Sequence, residues 1–353
     1  NDSVGTAHGE LRNGATVSDG KLVLAPIDNT TANAQYVKLP PGIIAPYMSA
    51  TIEMWGQIDN QSQDYNYARF WDFCSSNEGE DVFDGETQRL YLTPRGNTTL
   101  NSVYTSPYGE WSITAQGTIG GLDQGVESHI VVVADGVNQT LSMYRDGILV
   151  ETIEAEVAPM DLGYTCNNLL GRSGFAHDPG LFGKINELRI WSGAMDINDV
   201  RINLAAGPDM LPDAIGELGS ITIALDGNVT SFVEEGVKAV TVYANYENLE
   251  NVMLDLADVE ISSSDEEVVV YDAEGGYLRA MGVGTATVTA VYGEVTGTLE
   301  ITITEAPPAI LTHRYSFDTD ITDSVAGANG TIYGAASVAD GKLILPGDTL
   351  KSD

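Results

Sequence analysis

Acidic residues are the side chains of this chain best suited to chemistry, and sugar hydrolysis is the reaction that they would serve. Retaining glycoside hydrolysis needs two carboxylates about 5–5.5 Å apart on either side of one bond. Glu53 is the one acidic residue of the strand-like segment 51–55, and Glu187 alternates with apolar neighbours in a pattern that favours a solvent-facing position. Residues 265–267 (Asp-Glu-Glu) form a charge run typical of a solvated turn. We therefore predict that the chain is not an enzyme.

Other motifs of catalysis or cofactor binding do not occur in recognisable form. The histidines are scattered, and no His-Glu-x-x-His motif or paired zinc ligand joins them. Gly20-Lys21 is followed by leucine, whereas a phosphate-binding loop needs serine or threonine there. Gly282 and Gly284 precede a strand-like segment rather than a helix, so they are not a dinucleotide fingerprint. The sequence thus indicates binding or assembly.

The net charge limits the class of partner. The chain has 51 acidic and 16 basic residues among 353, which gives a formal charge of −35. Such a surface repels nucleic acid and anionic lipid. No apolar run reaches the roughly 18 residues of a membrane-spanning helix. We expect neither nucleic-acid binding nor membrane insertion. The acidic surface suits a solvated extracellular protein, or one that requires divalent cations.

The two cysteines, Cys74 and Cys166, have neither zinc-binding nor redox Cys-x-x-Cys spacing. Both lie in loop-like stretches of the N-terminal half. In an oxidising compartment they are candidates for a disulfide; the alternative is a pair of buried thiols.

Short alternating or β-branched segments, bounded by Gly, Asn, Asp or Pro, predict an antiparallel all-β fold. Asp146-Gly147 predicts a hairpin turn, because these residues tolerate positive φ, and residues 196–205 form the one helix-like segment. Composition divides the chain into a first domain, a linker, a smaller sandwich, a stiff Pro-containing linker and a C-terminal part. The predicted bounds are residues 1–207, 208–216, 217–305, 306–310 and 311–353.

Residues 2–25 and 323–346 are two copies of one segment, identical at 12 of 24 positions without a gap. A repeat of this kind is typical of modular proteins. An alternating segment, residues 311–318 (Leu-Thr-His-Arg-Tyr-Ser-Phe-Asp), precedes the second copy and has no counterpart before the first. We interpret residues 311–353 as the N-terminal part of a second repeat, and the first domain as lacking its first strand.

Several motifs of the first domain point to one family. They are residues 50–55 (Ala-Thr-Ile-Glu-Met-Trp), 68–73 (Ala-Arg-Phe-Trp-Asp-Phe), 170–175 (Leu-Gly-Arg-Ser-Gly-Phe) and 182–191 (Phe-Gly-Lys-Ile-Asn-Glu-Leu-Arg-Ile-Trp). With these motifs, residues 1–207 resemble the laminin-G-like, concanavalin A-like jelly-roll family, which includes the pentraxins. The resemblance implies a sandwich of two antiparallel sheets.

Two further motifs lie in the smaller sandwich, at residues 259–265 (Val-Glu-Ile-Ser-Ser-Ser-Asp) and 278–288 (Leu-Arg-Ala-Met-Gly-Val-Gly-Thr-Ala-Thr-Val). Residues 217–305 thereby resemble the bacterial immunoglobulin-like group 2 family. The resemblance implies a small immunoglobulin-like β-sandwich that serves as a spacer or adhesive stalk unit in secreted or surface proteins.

The resemblance to pentraxins also implies a Ca²⁺ site on a loop rim. In those proteins an Asp and an Asn precede a Phe-Trp strand, and a later acidic cluster precedes the final strand. The matching residues here are Asp64, Asn66 and Asp178. Carboxylate and amide oxygens are the ligands that Ca²⁺ prefers. The alternative is that Asp64 and Asn66 shape a loop and that Asp178 caps a turn.

Aromatic residues expected on the same rim are candidates for sugar binding, because sugars pack on aromatic faces beside hydrogen-bonding groups. They are Tyr65, Tyr67, Tyr104, Tyr108 and Trp111. Trp111 lies outside a clean strand pattern. The other three tryptophans alternate within strands and are expected in the core.

We therefore predict a non-catalytic adhesion module of a secreted or cell-surface bacterial protein. The resemblance implies that it binds a polysaccharide or a glycoprotein glycan, with Ca²⁺ as its cofactor. The alternative is a structural subunit of an extracellular filament or stalk. Residues 311–318 would then add as a strand to an open sheet edge, in cis or head to tail in trans, with His313, Tyr315 and Phe317 on one face. A longer tandem protein that is cut within its second repeat would explain the same sequence without strand donation.

Overall fold

The described residues of the N-terminal part of the chain form fourteen β-strands. The computed structural model describes residues 2–60, 62–76, 88–96, 99–116 and 120–347. In chain order these strands are β1 (Glu10–Arg12), β2 (Thr16–Ser18), β3 (Lys21–Leu24), β4 (Tyr36–Leu39), β5 (Ser49–Ile58), β6 (Trp71–Cys74), β7 (Arg89–Gly96), β8 (Thr99–Ser106), β9 (Gly109–Thr114), β10 (Ser128–Asp135), β11 (Thr140–Arg145), β12 (Ile148–Glu154), β13 (Asn167–Leu170) and β14 (Gly183–Ser192). The predicted all-β fold class is confirmed.

The fourteen strands form two seven-stranded antiparallel sheets. Sheet A has the order β1-β4-β13-β6-β7-β8-β9, and sheet B has the order β12-β11-β10-β5-β14-β3-β2. Side chains alternate between the two faces of each strand. Trp71 and Phe73 of sheet A thus meet Ile52, Met54 and Ile130 of sheet B in one buried apolar core. Every second residue of these strands points away from that core.

Helix α1 (Ile197–Ala206) follows β14 and lies on the outer face of sheet B. A capping box begins it: the Asp196 side chain accepts from the Asp199 amide, and the Asp199 side chain accepts from the Asp196 amide. Val200 packs against Val131 and Val133 of β10. The position predicted for the helix is confirmed. A second helix of one turn, α2 (Pro212–Ile215), lies within the predicted linker.

Residues 218–304 form a second sandwich of nine strands. They are β15 (Leu218–Leu225), β16 (Ser231–Val233), β17 (Val237–Tyr246), β18 (Val252–Met253), β19 (Glu260–Ser263), β20 (Val269–Asp272), β21 (Tyr277–Ala280), β22 (Gly284–Tyr292) and β23 (Val295–Thr304). One sheet contains β15, β17, β21 and β20 with β18 beside β17, and the other has the order β16-β23-β22-β19. They enclose a core of their own that includes Val242, Val288 and Ile301. Its immunoglobulin-like identity stays a prediction.

Helix α1 also contacts the second sandwich. The buried Asn198 side chain accepts from the Asp255 amide at 2.8 Å and donates to the Asp258 carboxylate at 2.7 Å. Ile202, one turn further on, packs against the second core. One helix therefore touches both sandwiches.

The Asn198→Ala variant should lose about 1–2 kcal/mol of unfolding free energy, because both hydrogen bonds disappear. Urea denaturation measures the loss, and amide hydrogen exchange should quicken at Asp255. Asn248→Ala removes an exposed bond to the Ala214 carbonyl and should cost less. Equal stability of the two variants would contradict the role of Asn198 at this contact.

The C-terminal segment carries a small hairpin of its own, β24 (Ser337–Ala339) and β25 (Lys342–Ile344). It lies 321 positions after the β2–β3 hairpin, and its turn repeats the earlier one: φ is 52° at both Asp19 and Asp340. Before it, Tyr315 forms an isolated bridge with Asp323. Residues 348–353 of the predicted second repeat lie outside the described residues. No helix in the described part of the chain is long and apolar enough to cross a membrane.

Candidate ligand-binding face

The segment between β13 and β14, residues 171–182, folds back across the outer face of sheet A; we call it the strap. It leaves the sheet at Gly171, whose φ of 89° favours glycine and where a Cβ would lie 2.3 Å from Leu24 Cδ1. The Gly174 amide donates to Asp72 Oδ2 at 2.9 Å, and the Leu181 amide returns to the Gly171 carbonyl at 2.8 Å. Asp72, which points outward from β6, is fully buried as a result.

Three buried arginines of this face each lie over an aromatic ring. The guanidinium-to-centroid distances are 3.9 Å for Arg69 over Tyr91, 3.8 Å for Arg89 over Phe175 and 5.1 Å for Arg172 over Tyr36. The negative face of an aromatic ring attracts a cation at such distances. The face thus combines hydrogen-bond donors with aromatic surface. The alternation of Arg89 and Tyr91 with apolar Leu90 and Leu92 was a signal of this face in the sequence.

Arg69 fixes the strap to the loop that precedes β6. Its guanidinium donates to Asp178 Oδ2 at 2.9 Å and to the Tyr67 carbonyl. The Ser173 hydroxyl donates to the same carboxylate oxygen at 2.8 Å. Arg69 is 1% exposed and Asp178 is 8% exposed. Buried charges are costly unless they are paired and hydrogen-bonded, so each of these two charges compensates the burial of the other, and the pair connects the strap to the loop before β6.

The three residues suggested for Ca²⁺ do not form a cation site as placed. Asp178 faces Arg69, and Asn66 Oδ1 accepts from Arg95 Nε at 2.7 Å. Guanidinium groups repel a divalent cation, so both contacts would have to break. Among the described residues, no cluster of three His, Cys, Asp or Glu side chains could hold a metal ion. Asp64 accepts from the Ser62 hydroxyl at 3.2 Å. The calcium site stays a prediction that requires a rearrangement.

The structure places the candidate aromatic residues at two ends of sheet A. Tyr65 and Tyr67 precede β6, and the Tyr67 amide donates to the Arg95 carbonyl near the end of β7. The Tyr65 ring lies edge-on to Phe182 of the strap at 6.0 Å. Burial raises the pKa of Tyr65, and the charges of nearby carboxylates add to the rise. Tyr108 occupies the turn between β8 and β9, roughly 25 Å away along β8. The predicted single rim is therefore divided.

Trp111 lies in β9, in contrast to the irregular position expected for it. It pairs with Tyr104 of β8, with ring centroids 6.1 Å apart, and packs against the core. Tyr104 itself is fully buried and donates its hydroxyl to the Ala158 carbonyl at 2.8 Å. Burial raises the pKa of Tyr104 strongly. Tyr104 thus belongs to the core, while ligand binding by Trp111 stays a prediction.

The two cysteines are both buried in sheet A, where β6 ends and β13 begins, and no disulfide joins them in the structure. Cys74 donates to the Asn167 carbonyl, with a sulfur–oxygen distance of 3.4 Å. Cys166 directly precedes β13, the strand that pairs with β6. The disulfide stays a prediction.

A second polar cluster lies between sheet B and helix α1. Glu53 is fully buried there, with Oε1 2.8 Å from His129 Nε2. Its Oε2 accepts from Trp191 Nε1 at 2.9 Å and from Asn203 Nδ2 at 3.2 Å. The half-buried Glu187 accepts from Arg189 Nε at 3.0 Å. Alternation along β5 did not reveal that Glu53 is buried, because α1 arrives from 150 residues later in the chain.

Residues 31–201 match the family model described as the concanavalin A-like lectin/glucanases superfamily. A search of curated proteins finds no match. Similar solved structures include domain 4 of AbnA, a GH43 extracellular arabinanase from Geobacillus stearothermophilus, in complex with arabinotriose. The two share 21% identity over 56% of this chain and 89% of that chain, with a TM-score of 0.39.

The CBM40 of a Ruminococcus gnavus IT-sialidase, bound to α2,3 sialyllactose, is 13% identical over 53% of this chain and 97% of that chain, with a TM-score of 0.40. A heptameric SAP-like pentraxin from Limulus polyphemus is 14% identical over 53% and 77%, with a TM-score of 0.33. The matched region contains strands β4 to β14 and the strap, while β1, β2 and β3 precede it. Residues 31–201, which match that family model, thus belong to a sandwich of two antiparallel sheets, the architecture of a concanavalin A-like jelly roll.

Proposed function

We propose that the jelly-roll domain binds a glycan at the end of sheet A where the strap meets residues 62–69, which we call the strap rim. The observation that carries the proposal is that accessible rings flank the buried Arg69–Asp178 pair. Tyr67 is 38% exposed, and the His177 side chain is 80% exposed. The match to a superfamily that includes lectins supports the same function.

The chemistry of the strap rim suits a sugar. Sugar rings present C–H faces that pack on aromatic side chains, while their hydroxyls need convergent polar groups. Phe175 and His177 lie with ring centroids 5.5 Å apart, and Asp178 directly follows them. Because Arg69 already holds Asp178, little side-chain ordering is left for binding, and such preorganisation favours affinity.

The proposed role is binding without catalysis, within a secreted or cell-surface protein that functions in adhesion. Glu53, the carboxylate with the best sequence position for hydrolysis, is buried beneath α1 with its oxygens hydrogen-bonded. A sugar cannot reach it there. The acidic surface, with a formal charge of −35, supports a solvated extracellular location.

A glycan array tests the proposal. The wild-type chain is expected to bind a subset of polysaccharide or glycoprotein glycans, and Tyr67→Ala combined with His177→Ala should weaken that binding about 30-fold, the effect of losing about 2 kcal/mol of contact. Tyr108→Ala is the matched control, because Tyr108 is 63% exposed at the opposite end of the sheet. The glycan affinity of the Tyr108→Ala variant should equal that of the wild type. Wild-type chain that binds no glycan, or a double variant that binds normally, would contradict the proposal.

The same array, run with calcium chloride and with EGTA, tests the metal. Binding that disappears in EGTA, and in the Asp64→Asn variant with calcium, would support Asp64, Asn66 and Asp178 as ligands. Equal binding under both conditions would contradict the calcium prediction and leave the glycan proposal intact.

A further inference from the structure

The second sandwich has a hollow beside the edges of its two sheets. Residues of β19, a terminal strand of one sheet, and of β20, a terminal strand of the other, line it. Residues 273–276 of the turn after β20 and residues 255–259 before β19 complete the lining. The volume of the hollow is about 550 Å³, which lies within the range of ligand-binding sites, about 300–1,000 Å³.

Apolar side chains form one part of the lining. Val259 belongs to the core of the second sandwich and is 6% exposed. Leu256, Ile261 and Tyr271 pack against the same core, but each keeps part of its surface exposed. Covering such surface with the hydrocarbon groups of a ligand removes it from water, which is favourable. The hollow therefore offers apolar contacts to a ligand.

Two carboxylates, those of Asp255 and Glu274, form the other part of the lining, and in the described part of the chain no lysine or arginine lines the hollow. The Asp255 amide donates to Asn198 Oδ1 at 2.8 Å, and Asp255 Oδ1 accepts from the Ala257 amide at 3.2 Å. Asp255 is thus held in place before a ligand arrives. The formal charge of −35 on the chain adds to the negative field of these carboxylates, so the hollow attracts a cation.

An arginine side chain suits both parts of this lining. Its hydrocarbon stem can cover apolar surface while its charged head stays near polar groups. The planar guanidinium donates several hydrogen bonds to carboxylates and also stacks on aromatic rings such as that of Tyr271. The same combination occurs inside the jelly roll, where Arg69 lies over Tyr91 at 3.9 Å and donates to the Asp178 carboxylate.

We propose that the hollow binds an exposed segment of a partner protein in which arginine lies beside apolar residues. The guanidinium pairs with Asp255 and Glu274, and the apolar residues of the segment cover Leu256 and Ile261. The segment binds next to α1, because Asn198 of that helix holds the Asp255 amide. This inference goes beyond glycan binding, since the hollow belongs to the second sandwich and the strap rim to the jelly roll.

Fluorescence anisotropy of labelled peptides, titrated with the full chain, tests the proposal. The probe Gly-Leu-Arg-Val-Arg-Gly should bind, and its affinity should fall as sodium chloride is added, because salt screens exposed charges. Replacing both arginines by glutamine, or both apolar residues by serine, should weaken binding at least about tenfold. If the arginine–serine peptide binds as tightly as the probe, the acidic surface alone attracts it and the proposal is wrong.

Substitutions in the chain identify the binding surface. Asp255→Asn combined with Glu274→Gln should weaken binding of the probe about tenfold or more. The matched control is Asp226→Asn combined with Glu300→Gln, which changes the net charge by the same amount at exposed residues outside the hollow. This control should bind the probe as the wild type does. Equal losses in the two double variants, or a wild-type chain that does not bind the probe, overturn the proposal.

A bulky residue in the hollow tests the apolar contacts while both carboxylates stay. Ala273 is exposed and lines the hollow, so Ala273→Trp should occupy part of the space and weaken binding of the probe about tenfold. Ala273→Ser leaves the space open and should bind normally. Normal binding by the tryptophan variant would show that the peptide lies elsewhere on the surface, against the proposal.

Discussion

Glu53→Gln is expected to remove about 3 kcal/mol of the unfolding free energy of the jelly roll. The carboxylate is fully buried and takes hydrogen bonds from Trp191 and Asn203 while pairing with His129. A glutamine of equal size has a single acceptor oxygen. Its amino group would take the place of the second carboxylate oxygen and cannot accept a hydrogen bond there. Breaking a buried charge network from one side costs about 3–5 kcal/mol.

Chemical denaturation of Glu53→Gln and Glu187→Gln, side by side, measures this effect. Glu187 is the matched control, because it lies on the neighbouring strand with a side chain that is 32% exposed, and its loss should cost below about 1 kcal/mol. Amide exchange in α1 should quicken in Glu53→Gln alone, since Asn203 connects Glu53 to that helix. Similar stabilities of the two variants would show that the cluster does not hold α1 in place.

Arg69→Met should cost a similar amount, about 3–5 kcal/mol, because Asp178 then stays buried without this cation. The stacking on Tyr91 and the bond to the Tyr67 carbonyl are lost with it. Arg69→Lys keeps the positive charge but loses the planar guanidinium group with its several donors. The stability of the lysine variant should therefore lie between those of the wild type and the methionine variant. Glycan binding should fall in parallel, because the strap loses its connection to the rim.

A second substitution distinguishes the cost of leaving the Asp178 charge unpaired from the cost of losing the packing of the Arg69 side chain. Asp178→Asn added to Arg69→Met should recover part of the lost stability, because the buried carboxylate is neutralised. Arg95→Met is the control for an arginine of the same rim; it loses the bond to Asn66, and its expected cost is about 1 kcal/mol. If the double variant is less stable than Arg69→Met alone, the ion pair is not the element that holds the strap.

Local patterns in the sequence were sufficient to predict the all-β class and several individual elements, whereas the jelly-roll architecture came from the resemblance to a family. The Asp146-Gly147 turn has the positive φ values, 50° and 76°, that its residue types predict. Asp196 begins α1 as an N-cap, and the alternation in β5 places Ile52 and Met54 in the core. Each of these features depends on neighbours a few residues apart, which is why the sequence alone was enough to predict it.

The candidate site depends on contacts between residues that are far apart in the sequence, and local patterns do not predict such contacts. Arg69 and Asp178 are 109 residues apart in the chain, and only the path of the strap brings them together. The sequence analysis expects Tyr65 and Tyr108 on one rim, but alternation does not tell which end of a sheet a turn occupies. Trp111 was misplaced because the short strand β9 follows a two-residue turn closely.

The dual contact of α1 has a mechanical consequence. Tension applied to the second sandwich would reach the jelly roll through Asn198 and Ile202 of α1, as well as through the connecting backbone. Arg189 adds a further attachment, since its guanidinium donates to the carbonyls of Pro208 at 2.8 Å and Met210 at 3.2 Å. Under tension, several attachment points would thus carry the load at once, and detachment of the two sandwiches would need them to break together.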